Sequence, residues 1–338
     1  MTITHAMSRA LKATPNPFVT AAAVTTGALV LSALYNRHAA REAERDNPPA
    51  GEFLDVEGVR LHYVERGAGE PLILLHGNGS MIQDFETSGL IELASRDHRV
   101  IVFDRPGYGY SERPRTTLWT ADAQAGLIGK ALGQLGITRA VVLGHSWGAS
   151  VAVSLALRHP ELVSGLVLAS GYYYPTVRGD VVAASGPAVP IFGDVLRYTV
   201  SPWLGRMLWP LLLRKLFGPS PTPDKFDGFP VEMILRPSTI RASAAESALM
   251  IPNAVAARPH YHQLKMPVAI IAGTADRIVD IKHQSARLHD EIAQSTLDAV
   301  ADVGHMVHQT ATDRVMSVIA RVSGQDPEQR TLGRLAAE

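Results

Sequence analysis

The sequence predicts an α/β fold: a mainly parallel, doubly wound sheet with one helical insertion and an N-terminal hydrophobic helix. Three observations predict it. Apolar runs of strand length alternate with helix-length segments from Pro71 to Ala169, and strands resume at Val268, a pattern that places parallel strands between two helical layers. Gly144-His145-Ser146-Trp147-Gly148 joins the apolar run Ala140–Leu143 to the small-residue helical segment Ala149–Leu157, so a strand, a sharp turn and a helix follow in succession. Between Gly171 and about His262 the alternation stops, and prolines at 175, 187, 190, 202, 210, 219, 221, 223, 230, 237, 252 and 259 punctuate apolar helical stretches.

The elements follow in order. Ala13 to Asn36 carries no charge, and Phe18–Tyr35 is an apolar-to-small run of 18 positions. As a helix it would extend about 27 Å, close to the thickness of a bilayer core. Arg9 and Lys12 precede it as in a signal peptide, yet an A-x-A cleavage site is missing. The expectation is therefore a single N-terminal membrane anchor. A cleaved signal or a soluble amphipathic helix are the alternatives, which would leave the protein exported or cytoplasmic. Arg9 and Lys12 on one side balance Arg37, Arg41 and Arg45 on the other, so orientation is undecided. Arg37–Gly51, charged and then bearing Asn47-Pro48-Pro49, reads as a linker that closes an anchor region spanning 1–50.

Glu52–Glu65 alternates around Glu57-Gly58 and predicts an edge hairpin. Strands are expected near Leu72–Leu75, Val100–Phe103, Leu162–Ala169, Val268–Ala272 and Ser295–Val300, with helices near Met81–Ser95 and Thr120–Gly136. The resulting organisation is a core over 51–170 and 263–322, a helical insertion over 171–262, and a polar tail over 323–338 that is frayed or loosely helical.

Composition narrows the function classes. With 32 basic and 32 acidic residues the net charge is zero, and no basic run supports nucleic-acid binding. Cysteine is absent, which removes disulfides, thiolate catalysis and cysteine zinc sites together. No H-x-x-x-H pair with a nearby glutamate points to a metallohydrolase. A hydrophobic content of 46% is ample for a large core.

The chemistry centres on Ser146. A serine on a sharp turn projects its hydroxyl, and flanking glycines are required because a Cβ there would strike neighbouring backbone. Acyl transfer builds charge on a carbonyl oxygen that backbone N–H groups can stabilise. His76-Gly77-Asn78-Gly79, at the end of the run Pro71–Leu75, offers one donor and the residue after the serine offers another, so Asn78 and Trp147 are the candidate oxyanion donors. Asp276 falls just past the run Val268–Ala272, where open α/β sheets place functional groups. Two histidines compete as base after Ser295–Val300. His305 directly follows Gly304 in the loop, and His308 falls three residues on, at the entry of the next helix; His305 is favoured because the base must reach the serine hydroxyl. His145 and His76 read as orienting or structural.

With Val100–Phe103 followed by Asp104-Arg105-Pro106-Gly107-Tyr108-Gly109-Tyr110-Ser111, the chain resembles the cap-bearing, esterase- or lipase-like members of the α/β-hydrolase superfamily from about Glu52 to about Val322. The resemblance implies that 171–262 is a cap. It also implies a serine hydrolase that cleaves a carboxylic ester or lactone, hydrophobic in character, through an acyl-enzyme. Ser146, Asp276 and His305 would form the triad, with a small-molecule ester as substrate and no cofactor or metal. Related haloalkane dehalogenases and epoxide hydrolases carry an aspartate where this chain has Ser146. A cofactor-free perhydrolase or haloperoxidase-like enzyme and a non-catalytic binding protein on the same fold are the alternatives. Asp104 and Tyr108 are expected to be structural in their loop. The apolar segment Trp203–Leu213 is expected mostly to pack the cap onto the body, with some side chains facing substrate, and the residues before Gly51 are expected to be dispensable for catalysis.

Overall fold

The computed structural model describes residues 16–176 and 179–324. A long helix α1 (Pro17–Asp46) leads into a hairpin, β1 (Glu52–Val56) and β2 (Val59–Arg66), followed by β3 (Glu70–Leu75), α2 (Ile82–Ser88), α3 (Leu90–Ala94), β4 (His98–Phe103), α4 (Ala121–Gln134), β5 (Ala140–His145), α5 (Trp147–Arg158) and β6 (Val163–Ala169). The insertion supplies α6 (Gly179–Ala184), α7 (Phe192–Thr199), α8 (Ser201–Phe217), α9 (Val231–Ile234) and α10 (Pro237–Ala257). The chain then returns through β7 (Val268–Gly273), α11 (Arg287–Glu291), β8 (Ser295–Val300), α12 (Val307–Thr310) and α13 (Thr312–Val322).

The eight strands form one sheet in the order β1-β2-β4-β3-β5-β6-β7-β8, antiparallel at the β1, β2 and β4 edge and parallel from β4 onward. Glu57 and Gly58 both take positive φ, 54° and 77°, as the two-residue turn of a tight hairpin requires. Strands β3 and β5 are covered on both faces, which is why Leu72–Leu75 and Ala140–Leu143 are continuously apolar rather than alternating. One face carries α4 and α5 in an apolar layer with Ile128, Leu132 and Val151; the other carries α2, α3 and α13 with Phe85, Ile91 and Val315. The segment expected as one helix over Met81–Ser95 is two, because Gly89 at φ 78° ends α2 in a left-handed cap. The C-terminal residues from 325 onward lie outside the described residues, as do Arg9 and Lys12.

Two expectations are corrected. The stretch from Arg37 read as a linker is the second half of α1, which runs unbroken to Asp46. Its Ala, Arg and Glu residues are strong helix formers, and the prolines at 48 and 49 merely stop the helix. This half is docked. Ser32 Oγ donates to Thr199 O at 2.8 Å, Asn36 Nδ2 donates to Tyr198 O at 3.0 Å, Arg236 Nη1 meets Glu44 Oε1 at 2.8 Å, and Ala43 is buried among Phe217, Phe226 and Phe229.

The second correction concerns Trp203–Leu213. Trp209 and Leu213 pack inward, but Trp203, Leu204, Met207, Leu208, Leu211 and Leu212 are exposed, so most of this segment neither joins cap to body nor faces a covered site. Composition alone does not distinguish the two faces of an apolar helix that also carries Arg206 and Arg214.

Candidate active site

The turn after β5 is built around glycines. Ser146 has φ 53° and ψ −117°, a conformation that costs a non-glycine residue about 1–3 kcal/mol. A Cβ on Gly144 would overlap the Gly148 carbonyl, and one on Gly148 would overlap the carbonyls of Leu75 and His76. The strand end, the helix start and the loop after β3 are thus in direct backbone contact. The Ser146 N–H donates to Ala169 O on β6 at 2.9 Å, which fixes the turn against the sheet.

Ser146, His305 and Asp276 come together. His305 Nδ1 lies 2.7 Å from Asp276 Oδ2, and His305 Nε2 lies 3.0 Å from Ser146 Oγ. The carboxylate cannot donate, so Nδ1 carries the proton and Nε2 accepts from the serine hydroxyl. Asp276 Oδ1 accepts from the backbone N–H groups of Ile278 and Val279 at 2.7 and 2.9 Å, so its second oxygen is satisfied and its orientation is set by main chain. The His305 N–H donates to Leu216 O on α8 at 2.8 Å, and Gly304 lies so close to the carbonyls of Leu216, Phe217 and Gly218 that a side chain there would be excluded. The end of α8 therefore holds the His305 loop.

His308 faces elsewhere. It is fully buried within α12, and its Nε2 lies 3.0 Å from Asp84 Oδ1. His145 packs its ring 5.0 Å from His305 and 4.3 Å from His308, and its Nε2 lies 3.1 Å from the His305 carbonyl. Burial, reinforced by His308 and His305, pushes His145 well below the ordinary imidazole range, so it is neutral and donates to that carbonyl. Asp84, His145 and His308 bring three potential metal ligands within 4.8 Å of one another. Asp84 accepts from His308, Gln309 and Ser80, so both of its oxygens are hydrogen-bonded within the fold.

The two candidate oxyanion donors flank Ser146. Trp147 is the first residue of α5, where helix N–H groups lack intrahelical acceptors, and the Asn78 N–H donates to no group among the described residues. Gly77 brings this loop to Ser146: a Cβ there would sit 3.2 Å from the serine Cβ. The Asn78 side chain is held at both ends, its Nδ2 donating to Ser243 O and Ser247 Oγ on α10 at 3.2 and 3.1 Å and its Oδ1 accepting from Tyr108 at 2.8 Å.

Behind this loop lies a polar network that sequence reasoning missed. Arg105 and Glu246, both fully buried, form a two-pronged pair at 2.5 and 3.1 Å. Arg105 also donates to the carbonyls of His76 and Gly77 at 2.7 and 2.8 Å, while the Tyr108 hydroxyl, whose single proton is shared with Asn78 Oδ1, and Gln124 Nε2 donate to Glu246 at 2.7 and 2.9 Å. Burial alone would raise the Glu246 carboxyl, but Arg105, together with Arg113 and Tyr108, outweighs it and holds the group below its ordinary value. Burial and Arg105 together lower His76 to about 4, leaving it neutral, with Nε2 accepting from the Arg105 N–H at 3.0 Å. The available signal was a lone glutamate in the alanine- and serine-rich run of α10, 141 residues from its arginine.

Asp104 braces its own loop. It accepts from His62 Nδ1 at 2.6 Å and from the N–H groups of Ile82 and Tyr110 at 3.0 Å, and Ser111 Oγ donates to its carbonyl at 2.6 Å. Gly109, at φ 48°, passes so close that a Cβ would overlap the carboxylate. These contacts explain the spacing of Asp104, Gly109 and Ser111.

Comparison with known proteins bears on the whole arrangement. A family model described as the alpha/beta hydrolase fold matches residues 70–312. The chain is 28% identical over 295 residues to a 2-hydroxymuconate semialdehyde hydrolase of Pseudomonas sp. strain CF600, covering 82% of this chain and 95% of that protein. In fold it is similar to the enol-lactonase of Burkholderia xenovorans LB400, with a TM-score of 0.66 at 20% identity over 80% of this chain and 99% of that one. A bacterial membrane phospholipase A has a TM-score of 0.62 at 20% identity, covering 90% of this chain and 97% of its own.

Proposed function

We infer that the chain, which belongs to the alpha/beta hydrolase fold family, is a serine hydrolase that cleaves a hydrophobic carboxylic ester or lactone through an acyl-enzyme. One observation carries the reading: Ser146 Oγ, His305 Nε2, His305 Nδ1 and Asp276 Oδ2 form a continuous chain at 3.0 and 2.7 Å, with the serine on a strained turn. Ser146 attacks the carbonyl carbon while His305 Nε2 takes its proton. Asp276 holds the Nδ1–H tautomer and stabilises the imidazolium that forms. The Asn78 and Trp147 N–H groups receive the charge that develops on the carbonyl oxygen, a contribution worth about 3 kcal/mol per donor in comparable sites. His305 returns the proton to the leaving alcohol, then takes one from the water that attacks the acyl carbon, and Ser146 is regenerated.

An apolar acyl or alcohol part is supported by the cluster of Met81, Met306, Phe217, Phe226, Phe229 and Met233, since Met306 directly follows the base and Met81 ends the loop that carries Asn78. Covalent labelling by a fluorophosphonate tests the nucleophile. The wild-type chain is expected to label and Ser146→Ala to remain folded and unlabelled; equal labelling of both would sink the assignment. Active protein is expected to hydrolyse p-nitrophenyl esters of graded chain length, with longer acyl chains preferred.

The first half of α1 is read as a membrane anchor. What supports this is its length and apolar composition, the full exposure of Phe18–Ala28, and the placement of the docked half after it.

A further inference from the structure

Helix α8 carries an outward apolar surface that stays exposed among the described residues. Trp203, Met207 and Leu211 form one row at four-residue spacing, and Leu204, Leu208 and Leu212 form a second beside it. Residues four apart lie one above the other on a helix, so the two rows make a continuous stripe along α8. All six are exposed, Met207 by 66% and Leu211 by 59%. Soluble monomers rarely leave so contiguous an apolar patch in water, and such patches mark protein or membrane contacts.

The position of the stripe decides between these. It begins at Trp203, whose ring stacks on Tyr35 of α1 at 4.8 Å and whose Nε1 donates to Ser32 Oγ at 2.9 Å. That is the level at which α1 changes from exposed and apolar to docked: Phe18, Val24, Leu31 and Leu34 stand free before it, and Asn36 is buried just after it. Arg206 lies over both rings, at 5.2 Å from Trp203 and 5.6 Å from Tyr35, and is held there by Glu232 and by Asn36 Oδ1. An aromatic pair with an arginine, at the boundary between an apolar helix and a polar body, is the composition of a membrane–water interface. The exposed apolar surface of α1 and the stripe of α8 therefore join at one place, through a fixed contact.

We propose that the outward rows of α8, Trp203–Met207–Leu211 and Leu204–Leu208–Leu212, lie on the lipid surface of the bilayer that α1 enters, so that the cap is seated on the membrane. The proposal rests on the anchor reading of α1. It commits to lipid rather than to a second copy, because the stripe is continuous with the helix that has the length of a span. The cap would then meet acyl chains directly, and the inner face of α8, with Trp209, Leu213 and Leu216 in the cluster beside Met306, would lie one helix thickness from lipid.

The absence of cysteine makes the test direct. Full-length protein carrying a single environment-sensitive fluorophore at Val24→Cys, Met207→Cys, Leu211→Cys or Glu92→Cys is reconstituted into phosphatidylcholine vesicles. Each is then challenged with doxyl-labelled lipid and, separately, with aqueous iodide. Met207 and Leu211 are expected to lose fluorescence to the lipid-borne quencher and keep it in iodide, as Val24 does, and the exposed Glu92 in the middle of α3 to do the reverse. A lipid response at Val24 with an iodide response at Met207 and Leu211 would overturn the seated cap and leave the anchor standing. Shielding of the two cap positions from both quenchers would assign the stripe to a protein contact and also overturn it. An iodide response at Val24 would remove the anchor itself.

Discussion

His305 and His308 are three residues apart, both nearly inaccessible, and each is paired with a carboxylate, at 2.7 Å to Asp276 and 3.0 Å to Asp84. Their surroundings give them different work. His305 is in a loop held by the carbonyl of Leu216, and its second nitrogen is free to meet Ser146. His308 is inside α12, its carboxylate is saturated by Gln309 and Ser80, and its Nδ1 meets no partner among the described residues. A buried histidine–carboxylate pair can thus be purely structural, and the catalytic role proposed for His305 and Asp276 rests on the other ring nitrogen meeting the Ser146 hydroxyl. Asp104 and His62 repeat the structural version at the opposite edge of the sheet.

The contrast can be broken by substitution. Ser146→Ala and His305→Ala are expected to lower kcat for an ester by about 10⁴-fold or more while leaving a folded protein, measured on a p-nitrophenyl ester. Asp276→Asn follows at about 10⁴-fold, because the amide NH2 can donate to Nδ1 and the side chain no longer enforces the Nδ1–H tautomer. His308→Ala should change kcat by less than about tenfold but cost about 2–3 kcal/mol of stability by urea denaturation, since it leaves the buried Asp84 carboxylate with only Gln309 and Ser80 as donors. Comparable kcat losses at both histidines would mean that the two pairs act as one unit. Glu246→Gln should resemble His308→Ala in stability and add a loss in kcat with little change in KM, because Arg105 and Tyr108 hold the loop that presents Asn78. An unchanged kcat would restrict Glu246 to stability.

Acid supplies a milder probe of the same buried groups. His76 is held at about 4 in the fold against an unfolded value of 6.5, so only the unfolded chain takes up the proton between these limits. Stability is therefore complete above pH 6.5 and falls as pH drops to 4, by about 3 kcal/mol from this group alone. Glu246, held low in the fold, acts in the same direction: its contribution is full above the ordinary glutamate value and is lost as pH falls through the depressed one. A flat urea midpoint from pH 7 to pH 4 would contradict the neutral, buried state of His76. The smallest effect is expected from Tyr108→Phe, about 1 kcal/mol, since Glu246 and Asn78 keep their other donors and acceptors.

The site's chain-local parts were legible in the sequence and its long-range parts were not. Gly144, Ser146 and Gly148 announce their turn because their steric demands are settled within a few residues and one neighbouring strand. The sheet was readable because two covered faces require unbroken apolar strands. Glu246 was not, because its meaning depends on Arg105, far away in the chain, and one glutamate in an alanine-rich helix looks solvated. The second half of α1 was misread for the same reason: its charges describe a solvated side, while Asn36 and Ala43, which dock it, are inconspicuous residues.

That unbroken α1 also sets a distance. From Ser32, which is hydrogen-bonded to Thr199 of the insertion, to Asp46 the helix rises about 21 Å with no joint, and it is held at several points along the way. A catalytic body on a slack tether would sweep a hemisphere and meet its substrate at any height. Here the first half of α1 cannot swivel freely against the body, so the height and tilt of Ser146 above whatever receives Phe18–Leu31 are fixed when the protein folds. Range of search is exchanged for a constant standoff.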